Sequence, residues 1–262
     1  KNLIYMVAVN HETSTFKNSD YAKYAKLAWK FWCKRNEIDL IVIDKHNDKY
    51  TFPIWNKLDV CDVGKDYDKI AIVDSDTMVH WDAPNPFDMI DSGIYGVQDN
   101  ANLRWLNDSV NNYGGEFFPD FKIDLKKYIN AGVVYLDNKS LPIYENLREF
   151  YFENQEKLDN WNKGGGREQT LFNFLLQKNN YDVKLLPPIW NLFAMHKKEM
   201  FTHNFQDGND LLPHFVKYSW VWHFTGFPIE ARTTIMRKTW NEYGVNYTDW
   251  KWSESNDSKY RI

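Results

Sequence analysis

The stretch Lys69-Ile70-Ala71-Ile72-Val73-Asp74-Ser75-Asp76-Thr77-Met78-Val79-His80 decides how this chain is read. Ile70 to Val73 form an unbroken apolar run, the pattern of a short strand buried on both faces, and the run stops at two acidic residues spaced i, i+2. A buried, unpaired carboxylate is costly, so two of them at a strand end call for water or a cation, and oxygen donors of this hardness suit Mg²⁺ or Mn²⁺. In an open α/β sheet, ligands bind at the carboxyl ends of strands. Two readings follow: a divalent-metal site that neutralises a phosphate-bearing substrate, or a solvated turn built from ordinary turn residues.

Upstream, Leu3 to Val9 is a second continuous apolar run, ending at Asn10 and His11. Tyr24, Leu27, Ala28, Phe31 and Trp32 then recur at helical spacing within Tyr21 to Arg35, and Leu40 to Ile43 predicts another strand. Strand, helix, strand begins a parallel sheet, whose first crevice is a natural nucleotide pocket. Lys57 reads as a surface lysine or as a cation beside Asp74 and Asp76 that helps hold a pyrophosphate.

Downstream, Met78 to Trp81 continues as a short strand, and Ile94 to Val97 predicts a further one. Residues 99–124 have weak periodicity and read as an irregular insertion on the acceptor side. Tyr128 to Leu136 predicts a strand whose start, Asn130-Ala131-Gly132, either admits a ligand closely or turns into the core. A helix is expected from Pro142 to about Leu158. Gly164-Gly165-Gly166 lacks the lysine and spacing of a P-loop and reads as a flexible loop. Arg167-Glu168-Gln169 opens a helix through Gln177, where acidic and amide groups can simply complement the dipole. Val183 to Leu186 is a strand, Pro187 to Asn191 a rigid turn, and Trp220 to Gly226 an apolar run containing His223. That histidine is a core residue or a Mn²⁺ ligand. Glu230 to Tyr243 looks helical, with a polar tail beyond it.

No repeat or low-complexity linker divides the 262 residues, which read as one domain. Aromatic residues reach 17%, with 12 Trp and 16 Tyr, which supplies core and also flat platforms for sugars. A net charge of −4 without a basic block argues against nucleic acid as a partner. Two cysteines, Cys33 and Cys61, fit a reducing compartment or at most one bridge, and no apolar run is long enough for a transmembrane segment. The expectation is a soluble, cytoplasmic protein.

The order of these pieces resembles glycosyltransferases of the GT-A fold, most closely family 8, the glycogenin and bacterial galactosyltransferase group. The resemblance runs from about Leu3 to Gly226. It is carried by Tyr67-Asp68-Lys69 leading into Asp74-Ser75-Asp76, then Asn130-Ala131-Gly132, Trp190-Asn191, and His223-Phe224-Thr225-Gly226. It implies an α/β GT-A fold, with a mixed central sheet flanked by helices, a nucleotide-binding half over about 1–98 and an acceptor half over about 99–245. It also implies Mn²⁺ (or Mg²⁺) ligated by Asp74, Asp76 and His223 and bridging the diphosphate of a nucleotide sugar, UDP-linked. Val9 and Asn10 would lie by the base, with Ser75, Ala131, Gly226 and Arg232 in the donor site, Lys57 near the acidic pair and donor sugar, and Asn130 on the sugar. Glu168 and Gln169 stand where the family has Asp-Gln, at the sugar's reacting face.

One departure matters. The family continues past His-x-x-Gly into Lys-Pro-Trp, whereas Gly226 is followed here by Phe227-Pro228-Ile229-Glu230-Ala231-Arg232. The lysine to the leaving phosphate is absent, and Arg232 is the candidate substitute. The stereochemical outcome is therefore open; an inverting enzyme would need a carboxylate base, Glu168 first, then Asp207 and Asp210. The reading is transfer of a sugar to a hydroxyl of a glycan or glycoprotein acceptor. Its rivals are a metal-dependent nucleotidyltransferase or phosphohydrolase, which would want a richer Lys/Arg phosphate grip, and a non-catalytic carbohydrate-binding module.

Overall fold

The computed structural model describes residues 1–14, 16–203 and 212–244. The chain runs β1 (Asn2–Val7), α1 (Tyr21–Arg35), β2 (Asp39–Ile43), a 3₁₀ segment at Pro53–Asp59, the single turn α2 (Val60–Val63), β3 (Lys69–Asp74), β4 (Thr77–Val79) and β5 (Ile94–Gln98). It continues through α3 (Leu103–Phe117), β6 (Ile129–Asp137), α4 (Pro142–Glu153), α5 (Gln155–Asp159), α6 (Arg167–Lys178), β7 (Val183–Leu185), α7 (His214–Tyr218), β8 (Val221–His223) and α8 (Ile229–Lys238).

Apolar residues on successive positions of β1 and β3 face opposite sides of one sheet, as the period of two requires. Leu3, Tyr5, Ile70 and Ile72 join the apolar layer under α4 and α6, while Ile4, Met6, Ala71 and Val73 join the layer under α1. The sheet has six strands in the order β2-β1-β3-β6-β5-β7. β1 is parallel to both β2 and β3, and β6 is antiparallel to both β3 and β5. A separate antiparallel pair, β4 with β8, sits at the end of this sheet.

Alternation slips once, in β6. Ile129 and Ala131 lie in the same layer as Val134 and Leu136, with Val133 and Tyr135 in the other, and the register with β5 shifts between Gly96 and Gln98. This bulge falls on Asn130-Ala131-Gly132 and re-aims those side chains. α6 takes over the hydrogen bonds that the bulge frees: Asn173 accepts from Ile129 N–H and donates to its carbonyl, both at 2.8 Å.

The sequence expectation of an irregular insertion over 99–124 is corrected by α3. Asn, Asp and Gly residues dilute its helix propensity, but Leu106, Ser109 and Tyr113 bury one face and the Asn102 side chain caps the first turn at Trp105 N–H. The expected helix from Pro142 breaks at Asn154 into α4 and α5, and the last helix gives way to a π-helical turn over Thr239–Gly244. Gly164-Gly165-Gly166 is a loop, tied down by Ser109, whose hydroxyl donates to Gly165 O at 2.9 Å. No helix among the described residues is long and apolar enough to cross a membrane.

Candidate active site

The turn after β3 is closed by Thr77, whose hydroxyl donates to Asp74 O at 2.6 Å and accepts from Trp29 Nε1 at 3.0 Å. β4 then pairs with β8 so that Thr77 stands opposite His223, and Phe224 N–H donates to Asp76 O at 2.9 Å. Two segments far apart in sequence are thereby locked together. Asp74, Asp76 and His223 converge with their ligand atoms within 4.8 Å of one another.

Each carboxylate spends one oxygen on a basic side chain. Asp74 Oδ1 takes Lys57 Nζ at 2.5 Å, and Asp76 Oδ2 takes Arg232 Nη1 at 3.0 Å. The other two oxygens face His223 Nε2, at 3.9 Å for Asp74 Oδ2 and 3.2 Å for Asp76 Oδ1. Burial alone would push the Asp76 carboxyl up, but His223 first, then Arg232 and Lys57, hold it down to about 2. Lys57 is 3% exposed and also binds Glu168 Oε1 at 3.0 Å. Burial opposes its charge, yet Asp74 and Glu168 outweigh that and raise its pKa.

The tautomer of His223 follows from Asp99. An ionised carboxylate only accepts, so Asp99 Oδ2 receives the Asn130 amide at 3.1 Å and the Gln169 amide at 3.0 Å. Asn130 Oδ1 then accepts from Asn191 Nδ2 at 3.0 Å, which leaves Asn191 Oδ1 to accept from His223 Nδ1 at 3.2 Å. With Nδ1 donating, Nε2 of a neutral ring presents its lone pair to the two free carboxylate oxygens. Two oxygens and an imidazole nitrogen in that array fit a divalent cation such as Mn²⁺, with Asn191 orienting the nitrogen ligand. Gly132 makes room for the ring: a Cβ there would lie 2.1 Å from His223 Cε1.

These groups open into a cleft of about 860 Å³. Of the residues anticipated from sequence, Val9, Lys57, Asp74, Ser75, Asp76, Asn130, Glu168, Gln169, Gly226 and Arg232 line it. Gln169 is fixed by Ala131 N–H at 2.9 Å as well as by Asp99. Asn10 is outside the lining, exposed, and accepts from Asn18 N–H at 3.4 Å. Ala131 is also outside it, its methyl turned into the apolar layer under α6. Asp207 and Asp210 lie outside the described residues.

Sequence reasoning passed over Asp99, read as the edge of an insertion, and gave Asn191 no role. It also missed Trp105, His196 and Lys197 on the cleft wall. Trp105 is hidden in the sequence because the α3 stretch reads as an irregular insertion; the others come to the site through tertiary contacts that no local pattern encodes.

No family model matches the chain, and no curated protein matches it in sequence. Solved structures do match in shape. A glycosyltransferase involved in the glycosylation of the major capsid of PBCV-1 aligns over 90% of this chain and 98% of its own, with a TM-score of 0.56 at 13% identity. The galactosyltransferase LgtC, solved with donor and acceptor sugar analogs, aligns over 90% of this chain and 95% of its own, with a TM-score of 0.50 at 14% identity. The bifunctional glycosyltransferase WbbM aligns over 86% of this chain and 45% of its own, with a TM-score of 0.52 at 14% identity. At this level of identity the likeness is one of architecture, and the architecture of this chain is the GT-A glycosyltransferase fold.

Proposed function

We propose that this protein is a metal-dependent glycosyltransferase of the family 8 type, moving a sugar from a nucleoside diphosphate, UDP in the first instance, to a hydroxyl of a glycan. The observation that carries the reading is the pair of unspent oxygens, Asp74 Oδ2 and Asp76 Oδ1, on residues that line a large cleft and face the Nε2 of His223, which is buried behind the lining. Because Nδ1 is engaged by Asn191, Nε2 is the ring atom turned to both carboxylates, the arrangement in which a shared divalent ion finds one nitrogen and two oxygens.

In the reaction, the anomeric carbon parts from a diphosphate oxygen, which keeps the bonding pair, and bonds to the acceptor oxygen, whose proton passes finally to solvent. A divalent ion on the triad supplies Lewis-acid stabilisation of the departing diphosphate. Lys57 holds both Asp74 and Glu168 in place through its two ion pairs. Gln169, held at both ends of its amide, and Asn130 line the cleft where the donor sugar is expected. Val9, two residues past the first strand, and Trp105, carried by α3, also line the cleft, and in this reading they serve the base and the acceptor respectively.

The test is calorimetric titration of UDP and GDP, first with Mn²⁺ and then with EDTA, on the wild type and on Asp76→Ala. Binding of one nucleotide that requires the metal and disappears in Asp76→Ala is the expected result. Wild-type protein that binds neither nucleotide in Mn²⁺ would overturn the reading and leave a glycan-binding module in its place.

A further inference from the structure

The inference rests on the donor-site reading and starts from the charge which that site leaves unmet. Four carboxylates line the cleft, Asp74, Asp76, Asp99 and Glu168. Two cations are committed to them: Lys57 lies between Asp74 and Glu168, and Arg232 lies on Asp76. A divalent ion on the triad brings two more positive charges, so the four negative charges of the protein are matched and nothing remains for a substrate. A nucleoside diphosphate adds roughly two to three negative charges at neutral pH. Arg232, to which the sequence pointed for this task, is already bound to Asp76.

Two long cations on the cleft wall have no carboxylate partner among the described residues, Arg167 and Lys197. Arg167, beside Glu168, already has its guanidinium engaged over the Phe52 ring at 4.3 Å. Lys197 lines the cleft five residues after Leu192. Its segment is tied to the strand that carries His223 by Leu192 N–H to Val221 O at 2.8 Å and His223 N–H to Leu192 O at 2.9 Å. His196, the preceding residue, lies against the turn after His223: a Cβ on Gly226 would be 3.6 Å from His196 Cε1. We propose that Lys197, with His196 beside it, holds the diphosphate of the nucleotide donor and then of the nucleotide product.

The backbone is shaped for that presentation. The Met195–Lys198 turn is flanked by Ala194 and Glu199, both non-glycine residues at φ 53°, a left-handed conformation that is costly without a compensating role. Met195 anchors the turn in the core while His196 and Lys197 stay exposed. Among the described residues Lys197 Nζ reaches only the Ala101 carbonyl, at 3.4 Å. A phosphate oxygen is the stronger acceptor, so the ammonium can exchange one for the other at a gain.

The experiment measures binding of UDP and of UMP, each with Mn²⁺, to the wild type, Lys197→Gln, Lys197→Arg and His196→Ala. The side chains are exposed, so these variants fold. Lys197→Gln is expected to weaken UDP about tenfold, the scale of one charge-assisted contact, with UMP changed less than about twofold and Lys197→Arg recovering most of the loss. His196→Ala follows in the same direction by a smaller factor. Equal weakening of UDP and UMP, or no change in either, would overturn the assignment while leaving the donor site intact. Failure of the wild type to bind UDP would instead remove the donor reading and this inference with it.

Discussion

Gly132 has no side chain, and the imidazole of His223 fills the space that one would take. An alanine Cβ would meet three ring atoms of His223 at 2.1, 2.7 and 2.9 Å, so ring or strand has to move. Gly132→Ala is therefore expected to cost at least tenfold in Mn²⁺ affinity, in the range seen when the surroundings of a ligand are disturbed, with the fold retained by circular dichroism. Unchanged affinity in a Mn²⁺ titration would return His223 to the role of a core histidine. Sequence pointed to Asn130-Ala131-Gly132 as a place where a ligand comes close. What comes close to Gly132 is a protein side chain, and the ligand array lies beyond it. The acidic pair was legible because the end of an apolar run is a local signal. Asp99 was not, since its effect on His223 passes through Asn130 and Asn191, three positions that only the folded chain brings into line.

At the level of elements, the sheet and most helices follow from periodicity, and the departures have physical causes. α3 hides because its buried face is short and its exposed face is rich in Asn and Gly, so packing decides where propensity is weak. The pairing of β4 with β8 could not be read locally, because three-residue strands from distant parts of the chain carry almost no pattern. The same dependence on packing governs how α6 meets the β6 bulge. Asn173 is fully buried and satisfies both polar groups of Ile129. Asn173→Leu keeps the volume but strands a buried N–H and a buried carbonyl, each worth about 1–3 kcal/mol. The expected loss is about 3 kcal/mol in urea unfolding, with reduced turnover because Gln169 is held through the same bulge. A loss below about 1 kcal/mol would mean that water reaches the bulge and that α6 is not its hydrogen-bonding partner.

For the molecule as a whole, acid is the condition most informative about how it holds together. His80 ends the strand that follows the acidic turn and is packed among Trp81, Trp220 and Trp222 at ring-centroid distances of 4.5, 5.5 and 5.6 Å. Its Nδ1 accepts from Asp82 N–H at 3.0 Å, a bond that only the unprotonated nitrogen can make. Burial lowers its pKa to about 4, outweighing the opposing pull of Asp82, with a smaller lowering contribution from the Arg35 guanidinium. The neutral ring is thus the folded form, while the unfolded chain takes up the proton near pH 6.5. The contribution is complete above 6.5 and is lost as pH falls from there through about 4, amounting to about 3 kcal/mol at most. Asp76, held down to about 2, is lost only below the usual carboxylate range, so the two windows do not overlap. Urea midpoints measured at intervals between pH 7.5 and 4.5 should fall for the wild type and stay nearly level for His80→Gln over the same span. Parallel slopes for the two proteins would show that His80 is not the group being titrated. The aromatic packing at the β4 and β8 junction would then tolerate a charged ring, and the acid sensitivity in this window would have another source than His80 or Asp76.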